Sequence, residues 1–400
     1  AGSLDVLVRI TAADVPGKER PPLDLALVLD RSGSMAGEKI AAAKQAAIET
    51  VRKLEPEDRM TFISYDDRVN VHTRRAKVGD GRALEREILA IFDGGGTALG
   101  PALRSGLDRL TQARRSEDVL AHVMLLSDGL ANEGESRPEV LARWASEAFG
   151  EGVATSTLGV GLDYNEDLMT KIADAGGGRY HFIESGDKVP EVLADEFAGL
   201  SSTVARNLTL DVDPEQGLEV QSVPGYPTVV DGDALMAKVG SMAAGRKREV
   251  LVRMTYSAPQ GDSLALGTYT LRFRDMLDDG SDAEIVVRPT VALTQDPDAV
   301  AASENLAVTV RAQEIDVAAQ LQRASESVDQ GAFDDARNEL RTKTEALKKE
   351  AAENPDVNFA PMIDDLEEAE RDIDKAQSSQ RERKLYLKKN KSKAYKKRKK

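Results

Sequence analysis

Leu23-Asp24-Leu25-Ala26-Leu27-Val28-Leu29-Asp30-Arg31-Ser32-Gly33-Ser34-Met35 decides how this chain is read. Its first seven residues are apolar except for Asp24, the pattern of a strand covered on both faces in a parallel sheet. Asp30 closes the strand. From Gly37 onward Ile40, Ala43, Ala47, Ile48, Val51 and Leu54 fall at helical spacing, and Pro56 ends the run. The segment Asp30 to Ser34 therefore lies between the carboxyl end of a buried strand and the next helix, the edge of an open α/β sheet where ligands bind. Ser32 and Ser34, two residues apart in an extended loop, can turn their hydroxyls the same way, and Gly33 permits the tight turn between them.

Outward from this segment, strand and helix signals alternate. Strands are expected at 60–65, 119–126, 153–160 and 180–183, with a short edge strand at 69–73. Helices are expected at 84–92, from about Thr97, and at 138–149, 166–175 and 188–204. Right-handed crossovers of this length predict a doubly wound, Rossmann-like sheet over residues 20–203. Beyond Asn207 the helical period is lost. Short β-rich runs at 208–212, 218–223, 249–256, 268–274 and 284–291 predict an antiparallel β-sandwich over residues 204–295. Leu4, Val6, Val8 and Ile10 alternate with polar residues, so residues 1–15 are expected to complete that sandwich, past a turn at 15–22. The α/β unit then sits as an insertion within the β unit. Apolar stripes from Leu306 to Val328, Phe333 to Ala351 and Met362 to Ile373 predict a helical hairpin plus one further helix over residues 296–380. The chain is thus multidomain: α/β, then all-β, then all-α.

Charge adds a fifth segment. The formal net charge is -15, yet residues 381–400 hold twelve Lys or Arg against the single Glu382, which leaves residues 1–380 at -26. So basic a tail, with few apolar residues, is expected to be a solvated extension outside any core, open to an acidic protein surface, nucleic acid or anionic membrane. No stretch approaches the roughly 20 apolar residues of a membrane helix. Cysteine is absent, which excludes disulfides and thiolate metal sites. The start Ala1-Gly2-Ser3 carries no signal-like segment, so a cytoplasmic location is expected, a mature secreted chain presenting the same start.

Two further oxygen donors are candidates to join the Asp30 loop. Thr97 follows Gly94-Gly95-Gly96, whose missing side chains let backbone approach closely, and Asp128 ends the strand next to that of Asp30. A set made of Asp30, Ser32, Ser34, Thr97 and Asp128 offers only oxygen and few carboxylates, which suits Mg²⁺, with Mn²⁺ or Ca²⁺ as alternatives. The competing reading is that Asp30 caps the following helix while the hydroxyls satisfy loop backbone. His72, His122 and His181 are dispersed on strands without a His-Glu-x-x-His pattern and read as packing or surface residues.

Asp30-Arg31-Ser32-Gly33-Ser34, Gly95-Gly96-Thr97 and Ser127-Asp128-Gly129, in this order and at strand ends, resemble the three loops of the von Willebrand factor type A (VWA) metal-ion-dependent adhesion site. The particular flavour is similar to bacterial VWA proteins and to the VWA modules of inter-alpha-trypsin inhibitor heavy chains. The resemblance implies that Ser32 and Ser34 touch the metal directly and that Thr97 joins in the ligand-competent state. Asp30 and Asp128 act directly or through water, and one position is left for an Asp or Glu of a partner protein. Arg31 departs from the plain pattern as a large cation that either assists an acidic ligand or lies on the surface.

The implied function is a metal-dependent binding scaffold rather than an enzyme. The alternative is an accessory subunit of a separate chaperone-like or chelatase ATPase, since this chain has no phosphate-binding Gly-x-x-x-x-Gly-Lys loop of its own. Mg²⁺-dependent phosphoryl transfer is disfavoured, because Ser32 stands where an Asp-x-Asp motif would put the second acid.

Overall fold

A computed structural model describes residues 2–15, 20–257 and 261–400. Pro16-Gly17-Lys18-Glu19 of the expected turn lie outside the described residues. The chain runs from β1 (Gly2–Thr11) into the α/β unit, whose strands are β2 (Leu23–Asp30), β3 (Arg59–Tyr65), β4 (Val69–Val71), β5 (Ala76–Lys77), β6 (Leu120–Ser127), β7 (Val153–Val160) and β8 (Gly177–Ile183). Its helices are α1 (Glu38–Lys53), α2 (Arg82–Leu89), α3 (Leu99–Thr111), α4 (Pro138–Gly150), α5 (Glu166–Ala175) and α6 (Val189–Ser201). The sheet order is β4-β3-β2-β6-β7-β8, with β5 also on β3. Strands β3, β2, β6, β7 and β8 are parallel to one another.

Every residue of β2, β6 and β7 is buried, which is why β2 and β6 read as near-continuous apolar runs, while β7 buries the hydroxyls of Thr155, Ser156 and Thr157 at its centre. Alternation splits β2 between two cores. Leu25, Leu27 and Leu29 pack with α1, α2 and α6, whereas Ala26 and Val28 pack with α3, α4 and α5. Each such aliphatic side chain contributes roughly 1.5–3 kcal/mol on full burial, so the central strands anchor both layers and fix where their carboxyl ends emerge.

The β unit continues with β9 (Thr203–Asp213), β10 (Leu218–Ser222), β11 (Thr228–Asp231), β12 (Ala234–Ala243), β13 (Lys247–Tyr256), β14 (Ser263–Ala265), β15 (Thr268–Asp275), β16 (Ser281–Val287) and β17 (Thr290–Ala292). β1 pairs antiparallel with β13 from Gly2↔Tyr256 to Thr11↔Lys247, and β10 takes the other edge of β13. A five-stranded sheet in the order β11-β12-β9-β15-β16 shares one apolar core with it, Val250, Val252 and Met254 meeting Leu208, Leu210, Val212 and Val239. The hairpin β11–β12 was not expected from the sequence. The α/β unit enters and leaves through one turn of this layer: Gly245 N donates to Ala13 O at 3.1 Å and Ala244 N to Ser202 O at 2.7 Å.

The C-terminal region keeps one expectation and corrects another. After α7 (Pro297–Ala302) come the hairpin and further helix expected over residues 296–380, α8 (Leu306–Asp329), α9 (Phe333–Glu353) and α10 (Ala360–Ser378), and then a fourth long helix, α11 (Gln380–Lys399). α11 is the basic tail, and it is docked rather than solvated. Tyr386, Leu387 and Ala394 are buried in the core formed with α8 to α10, and Tyr395 enters the α/β core beside β8. Its lysines meet acids of the same chain: Lys391 lies 3.0 Å from Glu166, Lys397 2.7 Å from Asp365 and Lys399 2.9 Å from Asp174. The acidic surface expected of a partner is therefore supplied from within. Arg311 on α8, 1% exposed, ties the end of this helix down by donating to Lys397 O at 2.7 Å, Arg398 O at 3.1 Å and Glu249 O of β13 at 3.2 Å.

Candidate metal site

All five expected site residues come together at the carboxyl edge of the parallel sheet. Asp30 ends β2 and is wholly buried; Oδ1 accepts from Ser32 N at 2.8 Å and Oδ2 from Ser127 Oγ at 2.6 Å. Burial pushes its carboxyl up to about 6, against the lowering effect of the bonds from Ser127 and Ser32. Ser32 Oγ and Ser34 Oγ are 3.1 Å apart, and Ser34 Oγ donates to Asp128 Oδ1 at 2.6 Å. Asp128, just past β6, is also wholly buried.

Thr97 reaches the cluster on a loop held by backbone contacts. Gly94 N donates to Arg31 O at 2.8 Å, and Gly33 N donates to Gly95 O at 3.2 Å, lacing the first and second loops together. Gly95 has φ +73, and a Cβ there would lie 2.8 Å from Asp67 Oδ1 and 3.0 Å from Asp66 Cβ, so both conformation and space demand glycine. Asn132 Oδ1 accepts from Thr97 N at 2.8 Å, fastening the second loop to the third.

Gly129 completes the cradle. A Cβ at this position would stand 3.3 Å from both Ser34 Oγ and Thr97 Oγ1, so its absence lets two hydroxyls and the Asp128 carboxylate converge. The result is three hydroxyls and two carboxylates with no nitrogen or sulfur donor among them, a donor set fitting a hard divalent cation that retains some water. The N-cap alternative for Asp30 is not what the structure shows: α1 begins at Glu38 with Gly37 as its N-cap.

Three neighbours were missed or left open. Lys39 Nζ lies 2.5 Å from Asp128 Oδ2 and donates to Ser34 O at 3.2 Å. A lysine in the first turn of a helix opposes the macrodipole, and that misplaced charge was the available signal. Arg31 is held by its own chain: it pairs with Asp66 at 2.5 Å and donates to Phe92 O at 2.9 Å. Ser127, overlooked beside Asp128, holds Asp30.

Away from this edge, two of the dispersed histidines meet around Glu196 of α6, which is 2% exposed. His181 Nε2 lies 2.8 Å from Glu196 Oε2, Arg179 Nη2 also 2.8 Å, and Ser156 Oγ donates to Oε1 at 2.5 Å. Burial raises the Glu196 carboxyl, but the bond from His181 and the charge of Arg179 outweigh it and leave the group well below the usual carboxylate range. His122, whose Nε2 is 3.0 Å from Ser156 Oγ, is pushed down to about 4 by burial and is neutral.

Comparisons with known proteins bear on the fold of the unit that carries this cluster. The family model for the von Willebrand factor type A domain matches residues 24–195. An uncharacterized protein from Synechocystis sp. is 26% identical over 266 residues, covering 64% of this chain and 62% of its own. Escherichia coli YfbK, also uncharacterized, is 27% identical over 213 residues, 52% of this chain and 36% of its own. Inter-alpha-trypsin inhibitor heavy chain H3 of Mus musculus is 24% identical over 222 residues, 54% and 25%. The chain thus matches less than two thirds of the length of each of these relatives. Among solved structures, a von Willebrand factor type A protein from Catenulispora acidiphila superposes with a TM-score of 0.75 at 19% identity, over 94% of this chain and 86% of its own. The ArnB paralog VWA2 from Sulfolobus acidocaldarius gives 0.60 at 17% identity, over 98% and 99%. Both likenesses are likenesses of fold. Residues 24–195 match the von Willebrand factor type A domain, and the α/β unit that they form shares the fold of these solved structures.

Proposed function

We propose that this chain is a metal-dependent protein-binding scaffold in which Asp30, Ser32, Ser34, Thr97 and Asp128 hold Mg²⁺ and an Asp or Glu of a partner protein completes the ion's shell. The observation that carries this reading is the meeting of an oxygen-only cluster with exposed apolar flanks. Phe92, whose carbonyl is tied to Arg31, is 73% exposed, and Leu130, two residues past Asp128, is 59% exposed. Large apolar side chains left in water beside a polar site are what a protein partner covers, and their desolvation adds to a single ionic contact.

The division of labour follows from the contacts. Ser127 and Ser32 N hold Asp30 ionised in a buried position, Gly129 gives the Ser34 and Thr97 hydroxyls their approach, and the Gly94 to Gly96 backbone brings Thr97 to the first loop. The bound ion supplies a strong positive centre for a carboxylate. Ser34 Oγ donates to a carboxylate shared with Lys39, and the proposal assigns the cluster to binding.

Calorimetry with MgCl₂ tests the reading. Wild type is expected to bind one ion, and Asp30→Ala or the double change Ser32→Ala, Ser34→Ala to lose that binding while circular dichroism stays unchanged. Binding that persists in both variants would place the ion elsewhere.

A further inference from the structure

The ammonium of Lys39 is directed at the same buried carboxylate that helps to build the cation site. Its Nζ is 2.5 Å from Asp128 Oδ2, on the oxygen opposite the one that accepts from Ser34. Gly161, with φ +76, lies against the end of the Lys39 side chain, where a Cβ would be in ordinary contact at 3.5 Å from Nζ, and a Cβ at Gly186 would lie 3.2 Å from Lys39 Cα, so the start of α1 is closely packed here. The lysine also stands in the first turn of α1, where the helix dipole disfavours positive charge, so the Asp128 contact must offset that cost.

Two roles fit a cation on a ligand carboxylate. Lys39 either aims Asp128 or sets the charge that an incoming ion meets. Aiming is already provided for: Asp128 follows directly on a fully buried strand, is itself wholly buried, and is bonded by Ser34. What the ammonium adds is charge. With Asp30 and Asp128 as the two carboxylates of the cluster, one resident positive charge cancels half of their total and repels a second cation.

We propose that Lys39 is a built-in counter-charge that holds down the affinity of the site for divalent cations. The inference rests on the metal-binding reading above. A unit charge a few ångströms from a divalent ion, at an effective dielectric near 20, is strong enough to change affinity by about tenfold or more. Lys39 is partly exposed at its side chain, 30%, so its replacement leaves the core intact.

The test is titration of the full chain with MgCl₂ and with MnCl₂ for wild type, Lys39→Met and Lys39→Arg, with circular dichroism to confirm folding. Lys39→Met is expected to lower Kd by about tenfold or more for both ions, and Lys39→Arg, which keeps the charge, to stay close to wild type. A second readout is the rise in melting temperature on adding Mg²⁺, which should be larger for Lys39→Met. Equal or weaker metal binding by a folded Lys39→Met protein would overturn the proposal and make Lys39 a positioning residue for Asp128. Absence of binding in all three proteins would instead sink the metal-binding reading itself, and the counter-charge role with it.

Discussion

Tyr395 offers the sharpest test of whether α11 belongs to the core. It is 4% exposed, its ring packs edge-on to Tyr180 with centroids 5.5 Å apart, and its Oη accepts from Tyr180 N at 3.0 Å. β8 is the last strand of its sheet, so that N–H belongs to an exposed ladder edge which Tyr395 satisfies. Tyr395→Phe keeps the ring but strands a buried donor, at a cost of about 1–3 kcal/mol. Tyr395→Ala also opens a cavity and gives up the aromatic pair, for a total of about 3–5 kcal/mol. A residue on a solvated tail would change stability by less than about 0.5 kcal/mol in either case. Urea melts followed by circular dichroism rank the three proteins, and hydrogen exchange at the Tyr180 amide locates the loss, since that amide should exchange faster in both variants. Midpoints equal to wild type in Tyr395→Ala, with Tyr180 still protected, would refute the docking of α11.

Other outcomes follow from the same structure. His122 titrates near 6.5 when unfolded and at about 4 when folded, so the unfolded chain binds the extra proton between these values; stability present above pH 6.5 is lost as pH falls toward 4, by about 3 kcal/mol, and His122→Gln should flatten that part of a melting-versus-pH curve. Glu196, held low in the fold, contributes stability above its ordinary carboxylate range that is lost on further acidification, so Glu196→Gln should remove a later acid step. Gly129→Ala crowds the Ser34 and Thr97 hydroxyls at 3.3 Å and should weaken Mg²⁺ binding by roughly tenfold in calorimetry with little change in melting. Removal of residues 1–11 uncovers one whole edge of β13 and should lower the melting midpoint of the β unit, an unchanged midpoint arguing that the pairing contributes nothing.

The parts legible in the sequence were those whose physics is local. β2 and β6 announce themselves because burial on both faces forces nearly unbroken apolar runs, Asp30, Ser32, Ser34 and Asp128 because short motifs follow those strands directly, and Thr97 because three glycines precede it in the loop between α2 and α3. The hairpin β11–β12 was hidden for an opposite reason: Val229 and Val230 are exposed, and β12 has Met236 on its outer face and Ala237 on its buried one, with the register shifting at Gly240, which leaves little contrast between its faces. α11 failed as a reading because its buried stripe passes through Asn390, and because the acids that neutralise it come from α5, α8 and α10, far away in sequence. The excess negative charge of residues 1–380 was visible, but nothing local says that the complement is folded back onto the same chain. Lys39 and the Glu196 cluster share this limit, since each depends on which strand ends become neighbours.

The turn between β12 and β13 has a mechanical consequence. A rigid body tethered at one point swivels freely, whereas one tethered at two adjacent points can only rock about the line through them. Ala13 and Ser202, the two necks of the VWA domain, bond to Gly245 and Ala244, adjacent residues of that turn. The two necks alone would leave the domain a single hinge. Ties away from that line remove it: Arg206 of β9 donates to Gly152 O at 3.3 Å and Glu117 O at 2.7 Å, Lys238 of β12 donates to Ser146 Oγ at 2.5 Å, and α11 adds Tyr395 at β8 and Lys391 at α5, so the edge that carries Asp30 and Asp128 is a fixed platform.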